Sequence, residues 1–356
     1  RAQPEAHGRV QGAMSLADAL AGMLVVALNA YVLSGGADFG GGVWDLLASG
    51  PRKRAQRDLV AQAIGPVWEA NHVWLILAVV LLFTCFPPAF AQLAVALNLP
   101  LTGVLVGIVL RGSAFAFRGY GGDRDAVQRR WGRVFAVASL VTPILLGTAV
   151  GAVASGVIGE GGRGKGEGFF SVYVATWLAP FPLTVGLFTL CCFAFLAAVY
   201  LTLEAPEGAL REDFRRRGLS AGVAVGVAAG LALIVARPGA PLMRSGLVGS
   251  DWALPFQLGT GMVAIGALGA LWTRRYRLAR AAAAAQVSLI LWGWAGSQYP
   301  YLVPPDLAIT DAAAPAATLR LVLIALGLGA AVLVPSLVYL FRIFKGGQQP
   351  SAAGHQ

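Results

Sequence analysis

Charge is scarce in this chain: only 12% of its 356 residues are Asp, Glu, Lys or Arg, whereas 57% are hydrophobic. Soluble domains carry about 25% charged residues. A mean hydropathy of +0.69 therefore excludes a globular domain with a wetted surface, and with it soluble enzymes, nucleic-acid binders and disordered tails. Cysteine is equally sparse. Cys85, Cys191 and Cys192 all lie in apolar runs, without a CxxC or an even framework, so neither zinc nor disulfides are indicated. Of three histidines, His7 and His355 are terminal and only His72 falls within an apolar run. No CxxCH, Walker motif or strand-to-helix GxGxxG occurs, so the chain offers no self-contained catalytic or metal site.

What the chain has in quantity is apolar length. Nine apolar segments run over 16–47, 65–86, 89–117, 134–158, 172–203, 219–236, 254–272, 278–297 and 319–344. About twenty such residues cross a bilayer. Only helices or closed barrels satisfy their backbone in lipid, and runs without alternation are helices. The expectation is an all-α integral membrane protein with nine transmembrane helices. The first, third and fifth segments exceed bilayer length, which implies tilt or protrusion.

The net charge of +10 fits this picture, because the basic residues lie between the apolar blocks. Nineteen Lys and Arg fall on one side of the alternation and six on the other. This asymmetry puts the amino terminus outside and the carboxyl terminus in the cytoplasm. Residues 1–13 are polar and precede Met14, which fits a natural start. The first helix is too long and glycine-rich for a cleaved signal peptide.

Ionisable groups inside spans are costly, and four stand out: Asp38, Glu69, His72 and Arg111. Asp45, near the end of helix 1, is expected to snorkel. At the helical rise, Asp38 lies about 13 Å, Glu69 about 16 Å and Arg111 about 10 Å from the inner end of its helix. Two acids and a base thus share one layer on three consecutive helices. Charges buried at one depth pair. Two readings stay open, a structural salt bridge or a proton path entering from the cytoplasm. Gly35, Gly36, Gly40, Gly41 and Gly42 surround Asp38 and let helix 1 bend or a neighbour approach closely. That neighbour is expected to be helix 2 or a partner protein. Pro66, three residues before Glu69, can distort helix 2 there. A single His is poor provision for haem, and His72 is expected to hydrogen-bond to polar neighbours.

The stretch Ser34-Gly-Gly-Ala-Asp38-Phe-Gly, followed by Gly65-Pro-Val-Trp68-Glu69-Ala-Asn71-His72-Val-Trp74-Leu-Ile, resembles subunit II of cytochrome bd-type quinol oxidases. That family usually reads D-G-F-D-[LM]-G and then P-x-W-[DE]-x-N-x-V-W-L. The resemblance continues in Val199-Tyr200-Leu201-Thr202-Leu203-Glu204, Gly296-Ser-Gln298-Tyr299-Pro300-Tyr301, Ile309-Thr310-Asp311-Ala-Ala-Ala-Pro315 and Tyr339-Leu-Phe-Arg342-Ile-Phe344. It implies two four-helix bundles plus one peripheral helix. On that plan 1–13 is an outer tail, 14–158 the first bundle, 159–171 a glycine-rich outer loop and 172–297 the second bundle. Residues 298–318 form an outer loop, 319–345 the ninth helix and 346–356 a cytoplasmic tail.

The resemblance also implies a bacterial inner-membrane location and an obligate partner, subunit I. That subunit carries two b-type haems, one d-type haem and the quinol-oxidising loop. This chain would hold no haem or metal. It would support subunit I and help line a proton route toward the haem that reduces oxygen. A small single-helix accessory subunit, membrane lipids and a structural quinone are compatible with this plan, but the sequence places no site for them. By position, Trp68, Asn71, Asp38, Glu69 and Arg111 fall on the family's intramembrane polar positions. Gly35 stands where the family has its first acid, Ala37 replaces an aromatic and His72 replaces Glu or Gln. These departures suggest the cyanide-insensitive branch. The alternative is a secondary transporter or ion channel built around a midplane charge cluster.

Overall fold

A computed structural model describes residues 15–64, 68–120, 125–158 and 168–346. The chain is almost entirely helical, as its apolar runs require. Helix α1 (Leu16–Leu46) starts at a capping box: the Asp18 amide donates to Ser15 Oγ at 3.0 Å and the Ser15 amide to Asp18 Oδ2 at 3.2 Å. These bonds satisfy amides that would otherwise be orphaned at the helix start. A short amphipathic helix, α2 (Lys53–Ile64), follows in what reads in sequence as a loop.

Helix α3 (Trp68–Cys85) ends where Pro87 and Pro88 begin α4 (Pro87–Ala96). Proline has no amide to continue the ladder, and the chain bends by 119° between the two helices. Helix α5 (Asn98–Tyr120) then crosses on its own. The third apolar segment thus comprises two helices, α4 and α5, and the bend lies just before it. The fifth segment divides likewise, into a short α7 (Phe169–Tyr173) and α8 (Pro180–Glu204), after α6 (Asp125–Ser155). The remaining helices are α9 (Ala209–Gly239), α10 (Pro241–Gly249), α11 (Ala253–Trp272), α12 (Tyr276–Gln298), α13 (Ile309–Ala312) and α14 (Ala316–Gly346). Between α12 and α13 a two-stranded antiparallel hairpin pairs β1 (Tyr301–Val303) with β2 (Leu307–Ala308), a departure from a purely helical chain. Among the described residues, eight helices are long and apolar enough to cross a membrane, or nine if the bent pair α3 and α4 counts as one span.

Helices α1, α6 and α8 form the centre. α8 packs against α9, α6, α1 and α12; α1 also packs against α3 and α6, and α5 lies on α6. α14 touches α1 and α3 and leaves most of its apolar surface open. Glycines set the closest approaches. A Cβ on Gly40 would collide with the backbone carbonyl of Phe193 on α8, and one on Gly36 would lie 2.8 Å from the Phe193 ring. A Cβ on Gly42 would collide with Ser139 of α6. Gly41 is buried beside them. The glycine face of α1 therefore meets α8 and α6, instead of the second apolar segment or a partner. Gly35 differs again: a Cβ there would lie 3.0 Å from the ring of Tyr31, one turn back on the same helix.

Candidate functional site

The close approach of α1, α5 and α6 places one arginine at their junction. On α5, Gly107 removes the side chain that would collide with Thr142 of α6, one turn before Arg111. Arg111 then reaches Asp38 across Ser139. Its Nη1 donates to Asp38 Oδ2 at 2.7 Å and its Nη2 to Oδ1 at 2.6 Å. Nη2 also donates to the Asp38 carbonyl at 3.0 Å, and Nε to Ser139 Oγ at 3.1 Å. Four of the five guanidinium N–H donors are thereby satisfied. The rings of Phe39 and Phe135 lie on the cation, each centroid 4.9 Å from Cζ. The Arg111 and Asp38 side chains are only 3% and 5% exposed. A bidentate pair of charge-assisted bonds is both strong and geometrically specific, so it fixes the two side chains in one arrangement.

Asn71 on α3 is buried. His72 is half-buried, and its Nδ1 is buried with no hydrogen-bond partner among the described residues. Its ring lies 6.2 Å from that of Tyr31. Trp68 and Glu69 belong to α3, but their side chains, like Pro66, lie outside the described residues. Of the two acids that could hold Arg111, the structure shows Asp38 doing so. Asp45 does not snorkel: it is buried, 3.9 Å from Arg57 Nε. Among the described residues no group of three or more His, Cys, Asp or Glu could hold a metal ion.

Sequence reasoning missed the groups that complete the pair: Ser139, Phe39 and Phe135. Phe39, beside Asp38, and Ser139, in an otherwise apolar run, were the available signals. A second cluster was also missed. At the arginine-rich end, Arg52 donates to Asp213 through Nε at 2.8 Å and Nη2 at 2.6 Å, and Gln56 Nε2 donates to Asp213 at 2.9 Å. Arg217 donates to Gln56 Oε1 at 2.7 Å and to the Leu47 carbonyl at 3.2 Å, with its guanidinium over the rings of Trp44 and Phe214. The hydrogen bond to Asp213 raises the pKa of the Arg52 guanidinium above its ordinary value. These contacts tie α1 and α2 to the start of α9. Arg274 meets Glu212 nearby at 3.8 Å, so three of the arginine-rich connections share one end of the molecule. A cavity of about 690 Å³ near the other end of α6 is lined by Thr176, Phe181, Pro238 and Pro304, and by none of the intramembrane charged residues.

A family model described as cytochrome bd terminal oxidase subunit II matches residues 16–344. Cytochrome bd ubiquinol oxidase subunit 2 of Bacillus subtilis is 30% identical over 125 residues, which are 35% of this chain and 36% of that protein. Cytochrome bd-I ubiquinol oxidase subunit 2 of Escherichia coli K12 is 28% identical over 138 residues, 37% of this chain and 34% of that protein. The matched stretch thus spans about a third of either relative. A chain in the solved structure of bd oxidase from Geobacillus thermodenitrificans shares the fold, with a TM-score of 0.77 at 22% identity, covering 94% of this chain and 100% of that one.

Proposed function

The chain belongs to the cytochrome bd terminal oxidase subunit II family, and from that premise we propose that it works beside a haem-bearing subunit I in a complex that oxidises quinol and reduces oxygen to water. It holds no haem itself. Subunit I carries the two b-type haems and the d-type haem, and the quinol is the substrate of the complex. The observation that carries this reading is the family match along nearly the whole apolar length of the chain. The scarcity of haem ligands supports it, since only one histidine lies in a span. The chain crosses the bacterial cytoplasmic membrane nine times, α3 completing the count, with its amino terminus outside and its arginine-rich end in the cytoplasm. Helices of 14–158 and 172–297 form two bundles, with α14 peripheral.

The intramembrane cluster has two jobs on this reading. The Asp38–Arg111 pair is an anchor, supported by its bidentate hydrogen bonds and the two rings on the cation. Glu69, on the neighbouring α3, carries the protons, because the cation at its depth is already engaged by Asp38. Purification of the native complex tests the first part. Reduced-minus-oxidised spectra should show haem in the complex and none in this chain alone; stoichiometric haem in the isolated chain overturns the assignment. Glu69→Gln tests the second. Oxygen consumption should fall by about a hundredfold, the lower end of proton-transfer contributions, at unchanged haem per complex. Normal turnover at full haem removes Glu69 from the route, and loss of haem together with turnover makes it structural.

A further inference from the structure

Two polar groups beside the ion pair are used neither by it nor by helix packing. Among the described residues the hydroxyl of Tyr31, a residue only 3% exposed, has no hydrogen-bond partner, and neither has the buried Nδ1 of His72. Their ring centroids are 6.2 Å apart with planes inclined by 43°. Asp38 and Arg111 both lie within electrostatic range of the two rings. Tyr31 is seven residues before Asp38, two turns back on the same face of α1, and His72 is three residues after Glu69 on its face of α3. The two rings therefore link the α1 face that carries one acid to the α3 face that carries the other.

Gly35 accounts for the geometry. The Tyr31 ring lies against it so closely that a Cβ would sit 3.0 Å from Cε2. A side chain at position 35 would therefore have to displace the tyrosine ring. A buried hydroxyl and a buried imidazole nitrogen are costly without partners. Rings this close lie within reach of shared water, which needs two to four polar partners to be held.

We propose that Tyr31 and His72 form a water-bridged proton relay between the Asp38 face of α1 and the Glu69 face of α3. A proton binds one ring nitrogen of His72 as the other nitrogen releases its own. The Tyr31 hydroxyl accepts a proton while passing its own on. Both groups return to neutrality and one proton has moved. The relay rests on the proton-route reading given above, and Tyr31 and His72 act through Glu69 without touching haem or oxygen.

The test uses the assembled complex with its haem-bearing subunit. Tyr31→Phe keeps the ring over Gly35 and removes only the hydroxyl; His72→Gln keeps polarity and removes the titrating ring. Each should slow both oxygen consumption and dye-detected proton uptake by at least about fivefold, at unchanged haem per complex. Because the groups act in series, the double variant should be no slower than the slower single variant. Rates within about twofold of the parent in both single variants, or additive losses accompanied by haem loss, overturn the relay. Glu69→Gln measured alongside separates the two claims. A slow Glu69→Gln with normal Tyr31→Phe and His72→Gln removes the relay and leaves the route; normal rates in all three remove both.

Discussion

Among the described residues, Asp38–Arg111 in the apolar interior and Asp213–Arg52 at the arginine-rich end make an instructive pair of ion pairs. Their hydrogen bonds are nearly the same: both are bidentate, and both have a shortest N–O distance of 2.6 Å. Their surroundings are not. Arg111 and Asp38 are 3% and 5% exposed and enclosed by two phenyl rings; Arg52 and Asp213 are 46% and 17% exposed. Water screens the second pair and supplies other partners if it breaks, so its net worth is about 0–1 kcal/mol. The first has no such refuge. Losing one partner strands a charge at a cost of about 3–5 kcal/mol. Bond geometry alone therefore says little about what a pair contributes, and the medium around it decides.

If burial is the deciding variable, Arg111→Met has the largest effect. It should destabilise the folded chain by about 3–5 kcal/mol, read as loss of membrane-integrated protein and as a lower thermal midpoint in detergent. Asp38→Leu/Arg111→Met, which removes both charges, should recover most of that loss. A double variant as unstable as Arg111→Met alone would show that the pair's packing matters more than its charge. Gly40→Ala comes next, at about 1–3 kcal/mol, because its methyl group meets the Phe193 backbone, which cannot swing away. Gly22→Ala on the same helix has nothing within 4 Å and should be neutral or stabilising by up to about 1 kcal/mol; equal losses at both positions would remove the α1–α8 contact as the cause. The smallest effect belongs to Arg52→Ala, at most about 1 kcal/mol and smaller still in high salt. A loss matching that of Arg111→Met would break the contrast between wet and dry pairs.

Much of this was legible beforehand. The ends of α1, α11 and α12 fall within a few residues of the apolar segments, because hydropathy reports directly which stretches leave water. Arg111 and Asp38 could be placed in one layer from helical rise alone, and they are in contact. Other features were not legible. The third segment reads as one long run, since the break between α4 and α5 at Leu97 interrupts the helix without interrupting hydropathy. Helix α2 is too polar to register as apolar and too short to stand without the chain it packs on. Asp45 looked free to reach water because its neighbour Arg57 lies beyond the next turn of chain. The glycines of α1 signalled a close approach, but not whose.

The sequence by itself determined that the chain lives in a membrane, that its long apolar stretches are helical, how its arginines segregate and which charges must find partners there. Each follows from the transfer cost of individual residues or from the periodicity of a single helix, both local properties. Only the tertiary structure decided that Arg111 belongs to Asp38, that α8 lies against Gly36 and Gly40, and that the rings of Tyr31 and His72 are neighbours. Those facts depend on the rotation of each helix about its axis and on which helices become neighbours. Phe193 is more than 150 residues from Gly40, and nothing short of packing the whole assembly brings the two together.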